Sequence, residues 1–217
     1  MIIQMHIKRD KLIKTYEVEA DENDSVATLL ERINLDESDP IEWECGCRQN
    51  ICGACAMLIN NTPALACASF VGDLGPNINL APLSKFPLIK DLKVDRSIIA
   101  TLLEKMQTYP LPDTQADTSD FQRQYLAASC LMCGCCMEVC PNYTGKDDFG
   151  SALVANIMYK TISQEADKMR RKELSKLYRK KQFIKCTNAL SCDDVCPLGL
   201  PQASTLSRLN HTIFKHK

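Results

Sequence analysis

The chain has 217 residues with a formal net charge of −1, 45% hydrophobic content and only 6% aromatic content. That length supports one large domain or two small ones with modest cores, and the charge balance argues neither for a nucleic-acid binder nor for an acidic tail. No run of about 18 apolar residues is present, so no transmembrane helix is expected.

The N-terminal MIIQMHIKRDK has no basic region followed by an apolar run and a small-residue cleavage site, and it reads as a strand. Residues 1–95 form a β-rich unit. IIQMHIK and TYEVEA are strands joined by a turn near Asp10. Asp24 is the expected N-cap of an amphipathic helix, SVATLLERI, with Val26, Leu29, Leu30 and Ile33 on its apolar face. A cysteine-bearing loop follows, then CAMLI and ALACASF as a hairpin turning at Asn60-Asn61. Residues 96–120 change character: a short helix, SIIATLLEKM, leads into TYPLPDTQADTSD, whose Pro, Thr and Asp content reads as an exposed connection. Residues 121–217 are helical, through FQRQYLAAS, FGSALVANIMYKTI, ADKMRRKELSKLYRK and ASTLSRLNHTIF, with cysteine loops interrupting twice. The fold class is α+β: a β-grasp ferredoxin-like domain over 1–95, a connecting helix and linker over 96–120, and an all-α domain over 121–217.

The 13 cysteines fall into three tight groups, Cys45 to Cys67, Cys130 to Cys140, and Cys186 to Cys196. An odd number cannot all pair as disulfides, and without a secretion signal such groups point to metal or cluster sites. Cys47, Cys52, Cys55 and Cys67 follow C-x4-C-x2-C-x11-C, the plant-type spacing for a [2Fe–2S] cluster. Two irons need four thiolates; a tight loop supplies three, and the fourth is expected from an adjacent strand. Gly53 lies between two ligands, where backbone passes close to inorganic sulfide and a side chain would intrude. Zinc is the rival, but its sites usually use two C-x2-C knuckles and one is present here. Cys45 could compete as a ligand, but the x4 spacing selects Cys47 and leaves Cys45 a bystander.

Cys130, Cys133, Cys136, Cys140 and Pro141 give C-x2-C-x2-C-x3-C-P, the bacterial ferredoxin run, whose fourth cysteine ligates the other cluster in two-cluster proteins. Cys186, Cys192, Cys196 and Pro197 give C-x5-C-x3-C-P, the same run with Ala189 at the place of the missing cysteine. The crossover rule assigns Cys130, Cys133, Cys136 and Cys196 to a [4Fe–4S] cluster and leaves Cys140, Cys186 and Cys192 for a second. Three thiolates leave one iron corner without a protein ligand, and Ala189 offers no donor. A [3Fe–4S] cluster is therefore expected, with a [4Fe–4S] cluster carrying water or a small ligand as the alternative. Cys135 fits no slot and reads as a small buried residue.

No Gly-rich dinucleotide fingerprint is present, and His6, His211 and His216 are distant from the motifs and read as surface residues. No catalytic residue is assigned, so substrate chemistry belongs to a partner. A freestanding multi-cluster carrier and a cluster-based redox sensor are the other readings. The segment KMRRKELSKLYRKK reads as a solvated helix face with Leu174 and Leu177 inward, or as a surface for anionic lipid or an acidic partner; nothing in it favours nucleic acid.

One plant-type motif, then C-x2-C-x2-C-x3-C-P, then C-x5-C-x3-C-P is an order that resembles the iron–sulfur subunits of the succinate dehydrogenase/fumarate reductase family. The strings CRQNICGACAMLIN, LACASF and FPLIKDLKVDRS look like that family's cluster loop and domain end, and the likeness runs to Pro201. The resemblance implies a path through [2Fe–2S], [4Fe–4S] and [3Fe–4S] clusters between a FAD-binding flavoprotein that handles succinate or fumarate and a membrane quinone. It also implies membrane-anchor subunits of the cytochrome b type, often with haem b, and a peripheral position on the cytoplasmic side of the cell membrane. Many ubiquinone-linked relatives carry tryptophans after the second C-P and a histidine after the first cysteine of the third motif. Here Asn142-Tyr143 and Thr187 stand in those places, so Pro141 and Thr187 are candidate quinone-site neighbours, and DDFGSA with the altered contacts favours menaquinone.

Overall fold

The computed structural model describes residues 1–109, 116–146 and 148–215. Its contacts divide the chain into two compact units, Met1–Arg96 and Ser97–Lys217.

The first unit is built on a mixed sheet. Strands β1 (Ile2–Arg9) and β2 (Leu12–Glu19) form an antiparallel hairpin whose turn puts Asp10 in the left-handed region, φ 51°. Ile3, Met5 and Ile7 alternate on one face of β1 and are fully buried. Helix α1 (Val26–Asp36) covers that core with Val26, Leu29, Leu30 and Ile33. Its N-cap is Ser25, not Asp24: the Ser25 hydroxyl accepts from the Thr28 amide at 3.2 Å. The Asp24 carboxylate is occupied by the Asp21 amide and by both terminal nitrogens of Arg32.

Strands β3 (Ala56–Ile59) and β4 (Thr62–Leu65) form the second hairpin. Asn60 and Asn61 take φ 48° and 66°, the left-handed pair that a two-residue hairpin turn of matching twist requires. A one-turn helix α2 (Val71–Leu74) leads to β5 (Asn77–Ala81), which runs parallel to β1 and antiparallel to β3. The strand order is β2-β1-β5-β3-β4. A small ribbon, β6 (Leu88–Lys90) with β7 (Lys93–Val94), closes the unit.

The second unit is helical: α3 (Ser97–Lys105), α4 (Phe121–Ala128), α5 (Cys135–Val139), α6 (Ser151–Gln164), α7 (Lys168–Lys181), α8 (Ser191–Asp194) and α9 (Gln202–Lys215). Helix α6 is the axis, buried on most sides and packed by α3, α4, α5, α7 and α9. Helix α3, expected to belong to the connection, packs into this unit, with Ile99, Leu102 and Met106 buried. Residues 110–115 of the expected linker lie outside the described residues. On α7 the inward side chains are Leu174, Ser175 and Tyr178, while Leu177 is only half-buried. The i, i+4 pair Leu174 and Tyr178 sets that face. Among the described residues no helix is long and apolar enough to cross a membrane.

Candidate metal centres

None of the thirteen cysteines is in a disulfide. In the sheet unit the loop before β3 carries Arg48 (φ 58°), Asn50 (φ 57°) and Gly53 (φ 72°) in the left-handed region. Left-handed residues set among ordinary ones turn successive N–H groups toward one side of a loop. Here that side holds sulfur. The Gln49 and Ile51 amides donate to Cys47 Sγ at 3.3 and 3.4 Å, and the Cys47 and Ala54 amides donate to Cys52 Sγ, each at 3.4 Å. The Gln49 and Ile51 donors lower the Cys47 pKa to about 7, so the thiolate is already favoured near neutral pH. Gly46 is needed for room: a Cβ there would stand 3.1 Å from Cys52 Sγ.

The other two thiols are buried. Cys55 and Cys67 bring their sulfurs to 3.4 Å, well beyond the roughly 2.05 Å of a disulfide bond. Burial pushes the Cys55 thiol up to about 12. Cys67 lies not on a strand, as expected, but on a 3-10 turn, Ala66–Ala68, that starts where the β3–β4 pairing ends at Leu65. Cys45 is exposed at the loop entrance. Arg96, which the sequence reading passed over, locks this loop from behind. Its guanidinium donates to the carbonyls of Gly53 at 2.9 Å and Ala54 at 2.7 Å and pairs with Glu44. With those carbonyls held outward, the Ala54 N–H faces Cys52.

In the helical unit the cysteines line two cavities. Cys130, Cys133, Cys136 and Cys196 line one, together with Cys135. Cys140, Cys186 and Cys192 line the other, with Ala189, Pro141 and Thr187 in the same wall. Cys140 and Cys196 are thus each in a cavity with the other motif's cysteines. Gly134, at φ 91°, caps the start of α5, which carries Cys136 within it, whereas Cys140 stands at its end in extended backbone. The Ser151 hydroxyl donates to the Cys136 carbonyl at 3.0 Å and the Leu200 amide donates to Cys196 Sγ at 3.4 Å. At the second cavity the Asn142 amide donates to the Thr187 hydroxyl at 2.9 Å, tying the two cysteine loops together. Gln182, buried in that cavity's wall, accepts from the Gly150 amide at 2.9 Å and donates to the Asp148 carbonyl at 2.6 Å.

Burial dominates the electrostatics here. It pushes Cys130 and Cys192 up to about 11 and Cys136 well above its ordinary value. Thiols must lose their protons to bind metal, so loading releases protons and the metal's own charge offsets the desolvation. The histidines stand apart: His6 bonds to Thr15 on the sheet at 2.9 Å, His211 is exposed on α9, and His216 lies outside the described residues.

Loops of sulfur-directed amides and two thiol-lined cavities fit iron–sulfur clusters, and the comparisons agree. Residues 2–101 match the family model described as a 2Fe-2S iron-sulfur cluster binding domain, and residues 126–200 match a 4Fe-4S dicluster domain. The succinate dehydrogenase iron-sulfur subunit of Bacillus subtilis is 30% identical over 184 residues, covering 81% of this chain and 73% of the relative. The chain belongs to the iron–sulfur subunit family of succinate dehydrogenase and fumarate reductase. The fumarate reductase iron-sulfur subunit of Haemophilus influenzae is 27% identical over 221 residues, covering 93% of this chain and 86% of the relative. A chain of the Mycobacterium smegmatis Sdh1 complex in the apo form shares the fold, with a TM-score of 0.82 at 20% identity over 100% of this chain and 97% of that one. As a member of this family the chain is an electron-transfer subunit of an oxidoreductase, with a 2Fe–2S domain of the ferredoxin-like sheet type followed by a helical dicluster domain.

Proposed function

We propose that the chain carries single electrons between a FAD-containing flavoprotein that interconverts succinate and fumarate and a quinone in the membrane. Cys47, Cys52, Cys55 and Cys67 hold a [2Fe–2S] cluster. Cys130, Cys133, Cys136 and Cys196 hold a [4Fe–4S] cluster, and Cys140, Cys186 and Cys192 hold a [3Fe–4S] cluster. The first cluster belongs to the sheet unit over 1–95 and the other two to the helical unit over 121–217, into which α3 of the 96–120 connection packs. The observation that carries this reading is the lining of the two helical-unit cavities: Cys130, Cys133, Cys136 and Cys196 share one with Cys135, and Cys140, Cys186 and Cys192 stand beside Ala189 in the other.

The clusters supply reversible one-electron carriers, which no side chain of this composition provides. The chain's own contribution is to fix the sulfurs, direct amides at them and exclude water. In the first loop Arg96 and the amides of Gln49, Ile51 and Ala54 do this; around Cys136 and Cys192 burial does it. Hydrogen bonds to sulfur and low solvent access are the terms by which a protein sets cluster potential. Pro141, Thr187 and Ala189 are exposed at the edge of the three-thiol cavity, which supports quinone access there. Thr187 is engaged by Asn142 in place of a histidine contact, which supports menaquinone over ubiquinone. The relatives are named subunits of succinate dehydrogenase or fumarate reductase, which supports a flavoprotein and a membrane partner. Within the same proposal that membrane partner is an anchor of the cytochrome b type with haem b, and the chain sits peripherally at the cytoplasmic face of the membrane.

Affinity purification of the tagged chain from its own membranes tests this. The expected result is a stable complex with a FAD-bearing chain, in which succinate reduces the cluster absorbance and a menaquinone analogue reoxidises it. A monomer with intact clusters that succinate cannot reduce through any copurifying chain would replace the proposal with a freestanding carrier.

A further inference from the structure

Helix α7 carries a cationic face that works against the helix itself. Lys168, Lys172, Lys176 and Lys180 recur every four residues, with Arg179 on the same side. All five are exposed, and none has an ion-pair partner among the described residues. Glu173 is the only acid in the helix. The remaining cations are used internally: Arg170 pairs with Glu165 and lies over the Tyr109 ring, Arg171 pairs with Asp117, and Lys181 pairs with Asp148.

Local stability accounts for only part of this face. Cations in the last turn suit the negative end of the helix dipole, so Arg179 and Lys180 are favoured where they stand. Lys168 occupies the first helical position, against the positive end. Lys168 with Lys172, Lys172 with Lys176, and Lys176 with Lys180 are like charges at i, i+4, which repel. The helix persists because Leu174 and Tyr178 anchor its other face. A repulsive stripe maintained at such cost points to a counter-charge outside the chain.

Two observations say what supplies it. Four of the five cations are lysines, and lysine is depleted from protein–protein interfaces while arginine is enriched. A bilayer carrying anionic lipids needs no fixed hydrogen-bond geometry and attracts each lysine additively. Beyond the last turn the chain then exposes apolar groups beside the charges. Ile184 is 67% exposed, and Phe214, packed edge-on against Phe183 at 5.2 Å, is still 41% exposed. Basic side chains next to exposed apolar ones suit the headgroup boundary of a membrane.

We propose that this face of α7 rests on the surface of an anionic bilayer, with the lysines among the headgroups and Ile184 and Phe214 at the acyl boundary. This contact rests on the proposed membrane position of the chain, and Ile184 brings it within two residues of Cys186.

Vesicle flotation of the purified full chain tests it, using phosphatidylcholine vesicles with and without phosphatidylglycerol. The chain is expected to float with the anionic vesicles alone, and to be released as salt shortens the screening length from about 10 Å to about 3 Å. The variant K168Q/K172Q/K176Q/K180Q should lose at least about tenfold in partitioning, whereas K168R/K172R/K176R/K180R should retain it. Glutamine is a good helix former, and circular dichroism should find the helix intact in both variants. The salt arm, on unmodified protein, stands whatever the variants do. Equal flotation of the glutamine variant, or no salt release, overturns the proposal. So does tighter binding to polyglutamate beads than to anionic vesicles, which would make this a docking face for an acidic protein.

Discussion

Cys47 and Cys52, in the sheet unit, lie near the surface and receive backbone amides, and Cys47 is held at about 7. Cys136 and Cys192, in the helical unit, are buried, and desolvation holds Cys192 at about 11. The two environments act on the same residue type in opposite ways. A loop of oriented dipoles favours the thiolate before any metal arrives, whereas a buried cage disfavours it until metal supplies the charge. The sheet unit mixes the two environments, since burial also pushes its Cys55 up to about 12; the helical unit, where burial dominates, is expected to depend more on its metal.

The largest effect expected from this contrast is on folding. Cys136→Ala should abolish the four-iron centre and destabilise the helical unit by several kcal/mol, on the order of part of the metal-binding free energy. Cys52→Ala should remove the two-iron centre and leave the helical unit resistant to protease. Iron and acid-labile sulfide analysis with limited proteolysis reads both outcomes. Equal protease sensitivity of the two variants would break the contrast.

In metal-free chain kept under folding conditions, thiolate fraction at neutral pH should differ by roughly a few thousandfold, and alkylation rate by roughly a hundredfold because the less acidic thiolate is the better nucleophile. Cys47, with its pKa lowered to about 7, gains thiolate as pH rises through 7, and Cys192 and Cys130 only as pH approaches about 11. Timed alkylation with peptide mapping should therefore label Cys47 well before Cys130 and Cys192, with Cys55, pushed up to about 12, among the last. A uniform labelling rate would contradict it.

The smallest effect concerns Arg96. Arg96→Gln frees the Gly53 and Ala54 carbonyls and loosens the Ala54 donor to Cys52. Losing the net worth of one hydrogen bond, ~1 kcal/mol, corresponds to a fall of roughly 40–60 mV in a one-electron couple. Redox titration of the two-iron signal should find that fall, with the helical unit's centres unmoved. A shift of all centres together would mean that Arg96 acts on the fold at large.

The sequence made the cysteine chemistry legible because ligand spacing is a local property: C-x4-C-x2-C sets the reach of one loop whatever surrounds it. The proposed division of the helical unit's cysteines into four and three is read from the same spacing, and the two cavities separate Cys140, Cys186 and Cys192 from the other five, Cys135 included. The Asn60-Asn61 turn was legible for the same local reason. What escaped depends on partners distant in the chain. Arg96 acts on carbonyls 42 and 43 residues earlier, and no periodicity marks it. Ser25 and Asp24 are equally good caps in sequence, and only the engagement of Asp24 by Arg32 decides between them. Cys67 leaves the strand because pairing stops at Leu65, a register fact. The choice of Tyr178 over Leu177 as the inward residue of α7 is set by the helices it faces.

The division of thiols is tested most directly by paramagnetic resonance of the anaerobically purified chain, compared with its Ala189→Cys variant. The account predicts a three-iron signal in the oxidised wild type and a two-iron signal on reduction. The variant should replace the three-iron signal with that of a reduced four-iron cluster. An unchanged three-iron spectrum in the variant, or a wild type holding zinc and little iron, would contradict it.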